Sequence, residues 1–469
     1  MRTLLRSGSY FWLLILVVLL AVSCTGAPPA APTAAPAGAA AGAAAQPTTA
    51  TAKTEFQGIL GAIPKEVLDG TAKMPQFSGE YVIGTMYPRT GANAYLGEDS
   101  WRGAELAARV QNYKGGINGK EIKLDLVDAP DTAAGVSATE RFISQKGYKL
   151  LMGTYASAVS MATSEIAEKN NVFYWETNGT ADSLTQRGLK YFYDTNAATS
   201  QLSQAAVDMI KNGLPAKLGI SADKIRVAIV NEDGDYGTQG DQFAEQWLKQ
   251  AGIQLVDHEV YSAKSVDLSS MILKLKAANP DVVIGVGLGP DVILFWKQSR
   301  ELDFNPKAVI GLGAGYTARD TYNALGSAAD GLMSADFPVW DMPPSAAPGM
   351  QDFVKLYKDT YKEEMHGPHT LNVYIGASAL WEVIKAAGGI NDPEALRKAA
   401  NALEIPWGHT MNGWGVKFGA EGTPQAHRNI YTRINVMQWQ AGGKFTTVWP
   451  KEAAAADFIA PLPKWSERK

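Results

Sequence analysis

EYVIGTMYPRTGANAYLGEDSWRGAELAARVQNYKGGINGKEIKLDLVDA, residues 80–129, carries two switches of hydrophobic period, and these decide the fold. Glu80–Tyr87 is an extended run with β-branched residues and reads as a strand. From Gly97 to Tyr113 the period changes: Trp101, Ala104, Leu106, Ala107 and Val110 recur at helical spacing. Then EIKLDLVDA alternates apolar and polar with period two, as a strand does. A strand, a helix and a strand within fifty residues predict a parallel pair with a crossover helix.

The same grammar continues on either side. AAGVSATERFISQKG reads as a helix, YKLLMG as a short strand, SAVSMATSEIAEKN as a helix and VFYWET as a strand. After YFYDTNAATSQ the pattern starts afresh with helix SQAAVDMIKNG and the strongly apolar strand KIRVAIVNED. The helix YGTQGDQFAEQWLKQAG ends at Gly252, a normal C-terminal stop. IQLVDHEVY, DVVIGVG and KAVIGLG are further strands, separated by helices LSSMILKLKAANP and DVILFWKQSREL. Two copies of one architecture in series predict two α/β lobes, each a parallel sheet with covering helices. The helices MQDFVKLYKDTYKEEM and NVYIGASALWEVIKAAGG follow the second sheet and are expected to return to the first lobe. GWGVKF and RINVMQWQAGGKFTTVWP read as strands, the latter a hairpin turned at AGGK. A chain of 469 residues is long enough for two such cores.

The N-terminus is of another kind. Arg2 and Arg6 precede the apolar run Tyr10–Val22, which has the length of a signal-peptide core and is short of the roughly 20 residues that span a bilayer. The chain's one cysteine, Cys24, follows directly. AVSC resembles the bacterial lipobox, with Ala21 where leucine is usual. The resemblance implies cleavage before Cys24, a signal peptide over 1–23 and acyl chains on the thiol. No disulfide is then available, so the fold rests on its cores. Thr25–Lys53 is Ala, Pro, Thr and Gly with almost no charge, too apolar-poor to order itself. It reads as a disordered tether over 24–54, reaching roughly 30 Å as a coil. The net charge of −4 and the absence of long Lys or Arg runs exclude nucleic acid as an expected partner.

PRTGANAYLGEDSWRGAELAA and YKGGINGKEIKLDLVDAPDT, followed in order by SLTQRG, NEDGDYGTQG, SAKSVDLSSMILKLKAANPDVVIGVG, GSAADGL and VMQWQAGGKFTTVWP, resemble the branched-chain amino acid type of solute-binding protein, from about Glu80 to Pro450. The resemblance implies a periplasmic binding protein type I fold: two Rossmann-like lobes joined by three crossovers, near Thr195, Phe337 and Trp414, with a ligand held between them. The expected division is a lead-in over 55–79, a first lobe of 80–195 plus 338–413, a second of 196–337 plus 414–460, and a tail over 461–469. The implied function is an extracytoplasmic binding lipoprotein of an ABC importer. It would take a small amino acid or related carboxylate, with a membrane permease and the membrane itself, through Cys24, as partners. The chain is expected to be monomeric, with no cofactor. A ligand-sensing receptor of the same fold and a binder of a non-amino-acid carboxylate or amide are the alternatives.

In parallel sheets ligands sit beyond the carboxyl ends of the strands, where helix starts offer free N–H groups to an anion. GTYASAVSMATSE is such a place. The resemblance puts a carboxylate-binding serine at Ser157, and a serine there also serves as a helix cap. In YWETNGTADSLT it puts a backbone carbonyl and a threonine at Gly179 and Thr180. In DGDYGTQG it puts an aromatic contact at Tyr236. Tyr95 and Tyr155 are candidate walls. Glu176 is unusual in so apolar a strand, and both a structural acid and a ligand acid fit it. Two positions depart from the family. Gly313 stands where an acidic residue would hold the ligand's ammonium, and Leu288 or Gly289 stands where a tyrosine is expected. Loss of a hydrogen bond to a charged group lowers affinity roughly ten- to hundredfold. Either Glu176 takes over that role, or the ligand carries no α-amine.

Enzyme readings find little support. GVGLG and GLGAG lack the spacing of a dinucleotide fingerprint, and no phosphate-loop lysine motif exists. HGPH has no partner spaced for a metal and reads as a solvated loop. No nucleophile elbow or HExxH helix is present.

Overall fold

The computed structural model describes residues 56–468. The expected signal peptide, Cys24 and the tether lie outside them. Five strands form the first sheet: β1 (Glu80–Tyr87), β2 (Glu121–Asp128), β3 (Leu150–Gly153), β4 (Phe173–Glu176) and β5 (Phe192–Asp194). They are parallel throughout, in the order β2-β1-β3-β4-β5. Seven form the second, counting β6 (Arg226–Glu232), β7 (Gln254–Tyr261), β8 (Val282–Val286), β9 (Ala308–Leu312) and β10 (Met333–Asp336). The two-residue strands β11 (Glu404–Ile405) and β12 (Val416–Lys417) pair with each other. The hairpin β13 (Asn435–Gln440) and β14 (Lys444–Trp449) then joins the second sheet antiparallel to β10, giving the order β14-β13-β10-β9-β8-β6-β7.

The inner strands of both sheets are covered on both faces, which is why strands such as β8 and β9 read as continuous apolar runs, while the edge strands β2 and β7 alternate. In β4 the alternation is still visible in three dimensions. Phe173 and Trp175 join the core beneath the helices Ala94–Tyr113 and His369–Ala387, while Tyr174 joins the opposite core with Met86, Phe142 and Leu151. The two helices cross closely because Gly103 has no side chain: a Cβ there would lie 2.2 Å from the Thr370 carbonyl oxygen. The second sheet is likewise sandwiched, with Ile229, Ile284 and Ile310 on one face and Val230, Val283 and Val309 on the other.

The chain leaves the first sheet after Asp194 and enters the second lobe with the helix Thr199–Asp208. It returns after Asp336, whose following helix, Met350–Tyr361, packs with the first core. The third crossing falls near residues 429–434 rather than at Trp414. Val416 and Phe418 still belong to the first core, where Phe418 meets Trp175 and Tyr193 edge-on at 5.3 and 5.1 Å. A two-residue strand between glycines gives a period reading nothing to place it with. Trp414 itself touches Phe337 edge-on at 5.6 Å, at the second crossing. The first and third crossings run side by side: Asp194 N–H donates to the His427 carbonyl (2.9 Å) and Asn429 N–H to the Asp194 carbonyl (2.8 Å).

Both ends of the described chain are docked. Leu60 and Ile63 of the lead-in are buried in the first core. The expected tail is part of the second lobe: the Trp465 indole packs edge-on against Trp296 at 5.0 Å and donates to the Phe304 carbonyl at 2.7 Å.

Candidate functional site

The ends of β3, β4, β6, β8, β9 and β10 converge between the sheets. There the first lobe contributes Tyr155, Ala156, Ser157, Asn178, Thr180 and His369, and the second Glu232, Tyr236, Leu288, Gly313 and Asp336, with Phe337 at the crossing. They surround about 580 Å³ of space between atoms, part of it open to solvent. The part of it that a water-sized sphere can enter is about 80 Å³, smaller than the roughly 300–1,000 Å³ usual for a small-molecule site.

The first-lobe side is built of donors. Val159 and Ser160 N–H groups turn back to the Ala156 carbonyl (3.0 and 3.1 Å). Ser157 and Ala158 therefore hold the N–H groups that a helix start leaves without an intrahelical acceptor. Ser157 Oγ accepts from Ala181 N–H at 3.2 Å, and Thr180 Oγ1 accepts from Thr199 Oγ1 at 3.0 Å. Each hydroxyl thus keeps its own proton to donate. Two hydroxyls and a positive helix end make a cradle for a carboxylate.

Glu176 shapes this cradle without lining it. It is fully buried, and both oxygens are engaged. Oε1 accepts the N–H groups of Thr177, Asn178 and Gly179 at 2.9, 2.8 and 2.9 Å. Oε2 accepts the Thr154 N–H at 2.9 Å and the Ser160 hydroxyl. Burial pushes its carboxyl up from the ordinary glutamate range, against these hydrogen bonds. Of the two readings of Glu176, this geometry describes the structural acid: it ties the loop after β3 to the loop after β4. Gly179 stands in that second loop, its N–H turned to Glu176 and not among the lining groups.

The walls are aromatic. The Tyr155 ring meets His369 edge-on at 5.4 Å, and His369 meets Phe337 edge-on at 5.7 Å. His369 is not in a solvated loop. It opens the helix His369–Ala387 and is buried, which pushes its imidazole down to about 4 and keeps it neutral. Tyr236, at the start of the helix Asp235–Ala251, has a buried hydroxyl with no hydrogen-bond partner among the described residues.

The second-lobe side is acidic. Glu232 accepts the N–H groups of Gly234 and Gly237, fixing the start of the helix at Asp235. Asp336 ends β10, and sequence reasoning missed it: MSAD has no β-branched residue to mark a strand, so nothing placed its aspartate at a strand end. Asp336 Oδ2 accepts from the Thr317 hydroxyl at 2.6 Å and Oδ1 from Phe337 N–H at 2.8 Å. It is 1% exposed, and burial pushes it up to about 7. No lysine or arginine lines the cavity.

Tyr95 is not a wall. Its hydroxyl donates to the Leu288 carbonyl of the other lobe at 3.0 Å. A Cβ at residue 289 would lie 2.2 Å from that hydroxyl, so Gly289 makes room for the contact. Gln239 and Ser183 form a second bridge between the lobes: Gln239 Nε2 donates to Ser183 Oγ (2.6 Å) and Ser183 N–H to Gln239 Oε1 (3.1 Å). Among the described residues no group of three or more His, Cys, Asp or Glu is placed to hold a metal ion, and no helix is long and apolar enough to cross a membrane.

Two α/β lobes closed over a lined cleft, with three crossings between them, define a bilobal ligand-binding protein. The chain belongs to the periplasmic binding protein family, whose profile matches residues 80–444. It is 37% identical over 375 residues to "Leu/Ile/Val-binding protein homolog 8" of Brucella abortus (strain 2308), covering 80% of this chain and 91% of that one. It is 34% identical over 385 residues to "Leu/Ile/Val-binding protein homolog 7" of Brucella suis biovar 1, covering 82% and 95%. Among solved structures, the leucine binding protein LivK of Thermotoga maritima superposes with a TM-score of 0.67 at 22% identity, over 78% of this chain and 97% of that one. A solute binding protein of R. palustris in complex with benzoate gives 0.68 at 23%, over 81% and 98%.

Proposed function

We propose that the chain is the extracytoplasmic binding component of an ABC importer, held to the membrane by acyl chains on Cys24. In this reading it closes its two lobes over a small amino acid or related carboxylate and presents the closed form to a permease. The observation that carries the reading is the donor cradle of Ser157, Thr180 and the helix start, facing a second lobe that is bridged to the first by Tyr95–Leu288 and Gln239–Ser183. A ligand that touches both lobes favours the shut state by its differential affinity for it. The names of the relatives support the solute class.

Native mass spectrometry of gently purified protein should show a small retained solute. Saturation at a hundred times Kd should stabilise the fold by about 2.7 kcal/mol. Solution scattering should show compaction on adding it back. A protein that carries no solute, and neither compacts nor gains melting temperature with any of a broad panel of carboxylates, amides and amino acids, is not a binding component. Tyr95→Phe removes one inter-lobe hydrogen bond worth about 1 kcal/mol and should weaken solute affinity about fivefold with little change in ligand-free stability. An unchanged affinity would mean that the Leu288 contact does not contribute to closure.

A further inference from the structure

Resting on the lobe closure proposed above, we propose that Asp99, Asp320 and His366 form a proton-binding site between the lobes, so that shutting the cleft takes up a proton and is favoured at acidic pH. None of the three lines the solute cavity.

The lobes also meet beside that cavity. Leu96 and Tyr155 of the first lobe form a small buried apolar cluster with Ala318 of the second. Next to it the Arg319 N–H donates to the His366 carbonyl at 2.9 Å. This is a third bridge: Met365, beside His366, belongs to the first core, while Arg319 opens the helix Arg319–Leu325 of the second lobe. Helical spacing sets Asp99 one turn beyond Leu96, and Asp320 lies in the first turn of its own helix. The backbone contact thus brings an acid from each lobe toward the first histidine of HGPH.

The polar groups there are not matched. Asp99 is 1% exposed, and its Oδ1 has no hydrogen-bond partner among the described residues. His366 Nδ1 stands 3.5 Å from that oxygen, and Glu363 stands 3.9 Å from Nε2. His366 Nδ1 and Asp320 Oδ2 are likewise buried and without a hydrogen-bond partner among the described residues. The nearest cation, Arg102, is engaged by Glu98 at 2.9 Å, by the Tyr357 hydroxyl and by Glu363. Arg319 turns its guanidinium to the Met365 and Gly443 carbonyls, both at 3.4 Å. Tyr95, Tyr155 and Tyr357 also face Asp99, and Gly367 lies between it and the neutral His369. Burial lifts the Asp99 carboxyl well above the ordinary aspartate range; Arg102 opposes the lift, and Asp320, Glu98 and Glu363 add to it.

A proton held by the Asp99–His366 pair, on either atom, offsets the buried charge. Opening the cleft takes Asp320 away with its lobe and lets water reach Asp99. The carboxyl then returns toward its ordinary range and the proton leaves. The closed form therefore binds more protons than the open one, and closing is favoured as pH falls.

Solution scattering of the ligand-free full chain tests this without any solute. The radius of gyration should fall between pH 8 and pH 5. With one proton linked, the closed-to-open ratio changes about tenfold for each step of one in pH. Asp99→Asn should be compact already at pH 8 and lose most of the pH dependence. Asp320→Asn should move the same way, which a role of Asp99 confined to its own lobe would not produce. His366→Gln should need a lower pH to compact. The cavity acid Asp336, lifted to about 7, is present in every variant, so their differences from wild type isolate the site. A wild-type radius that does not change between pH 5 and pH 8 overturns the proposal, as does an Asp320→Asn protein that follows the wild-type curve. The binding role is read separately. If a carboxylate, amide or amino acid compacts the protein equally at both pH values, that role stands and the proton site is lost. If acid alone compacts it and no member of that panel does, the proton site stands and the binding role is lost.

Discussion

Arg428→Met is expected to destabilise the protein by about 3–5 kcal/mol, the cost of leaving a buried charge without its partner. Arg428 Nη1 lies 3.0 Å from Asp194 Oδ2, and their side chains are 3% and 0% exposed. The guanidinium also donates to the Ala181 carbonyl at 2.7 Å and the Ala197 carbonyl at 3.3 Å. One side chain therefore joins the loop after β4, the first crossing and the third. Methionine keeps the apolar stem and removes only the charge and its donors, so the loss is not a packing effect. Adding Asp194→Asn to Arg428→Met should recover much of the stability, because the uncompensated carboxylate is then gone. Urea unfolding followed by tryptophan fluorescence gives both numbers. A single-variant cost below about 1 kcal/mol would show that Asp194 does not depend on Arg428.

Glu176→Gln is expected to cost about 2–4 kcal/mol and to weaken solute binding as well. Five donors converge on this carboxylate, and hydrogen bonds to a charged group each contribute about 1.5–3 kcal/mol. Glutamine can offer its oxygen to the three N–H groups of residues 177–179. Its amide nitrogen would then face the Thr154 N–H, donor against donor, and leave that buried group unsatisfied. The two loops that carry Ser157 and Thr180 would separate, so affinity falls through their misplacement. A ligand-contacting acid would behave differently, losing affinity at unchanged stability. Chemical unfolding and calorimetry on the same preparation distinguish the two.

These residues show how far a sequence reading reaches. The two α/β lobes were legible because the strands alternate with helices of clear period, and helix ends carried glycine or proline. The loops after β3, β4 and β6 were legible because sequence order alone places them at strand ends. Glu176 announced itself as an acid in an apolar strand, but its role depends on Thr154 and Ser160, which only folding brings near. Arg428 gave no local signal, since its partner is more than two hundred positions away. The short strand MSAD has no pattern of its own, and Asp336 went with it. The two departures at residues 289 and 313 looked like losses. Each is filled from elsewhere in space: Tyr95 stands over Gly289, and the Asp336 carboxylate stands beside Gly313. A reading along one chain position at a time cannot see such exchanges.

The docked C-terminus has a practical consequence. Leu462 fills the space above Gly331, and Trp465 covers Trp296. A recombinant version trimmed to the last strand at Trp449 would bare the Trp296 indole and the leucine-sized space at Gly331 to water. Such a shortened protein should be stickier and more readily cleaved than the full chain, and fusion partners are better carried beyond residue 468 than spliced in before it.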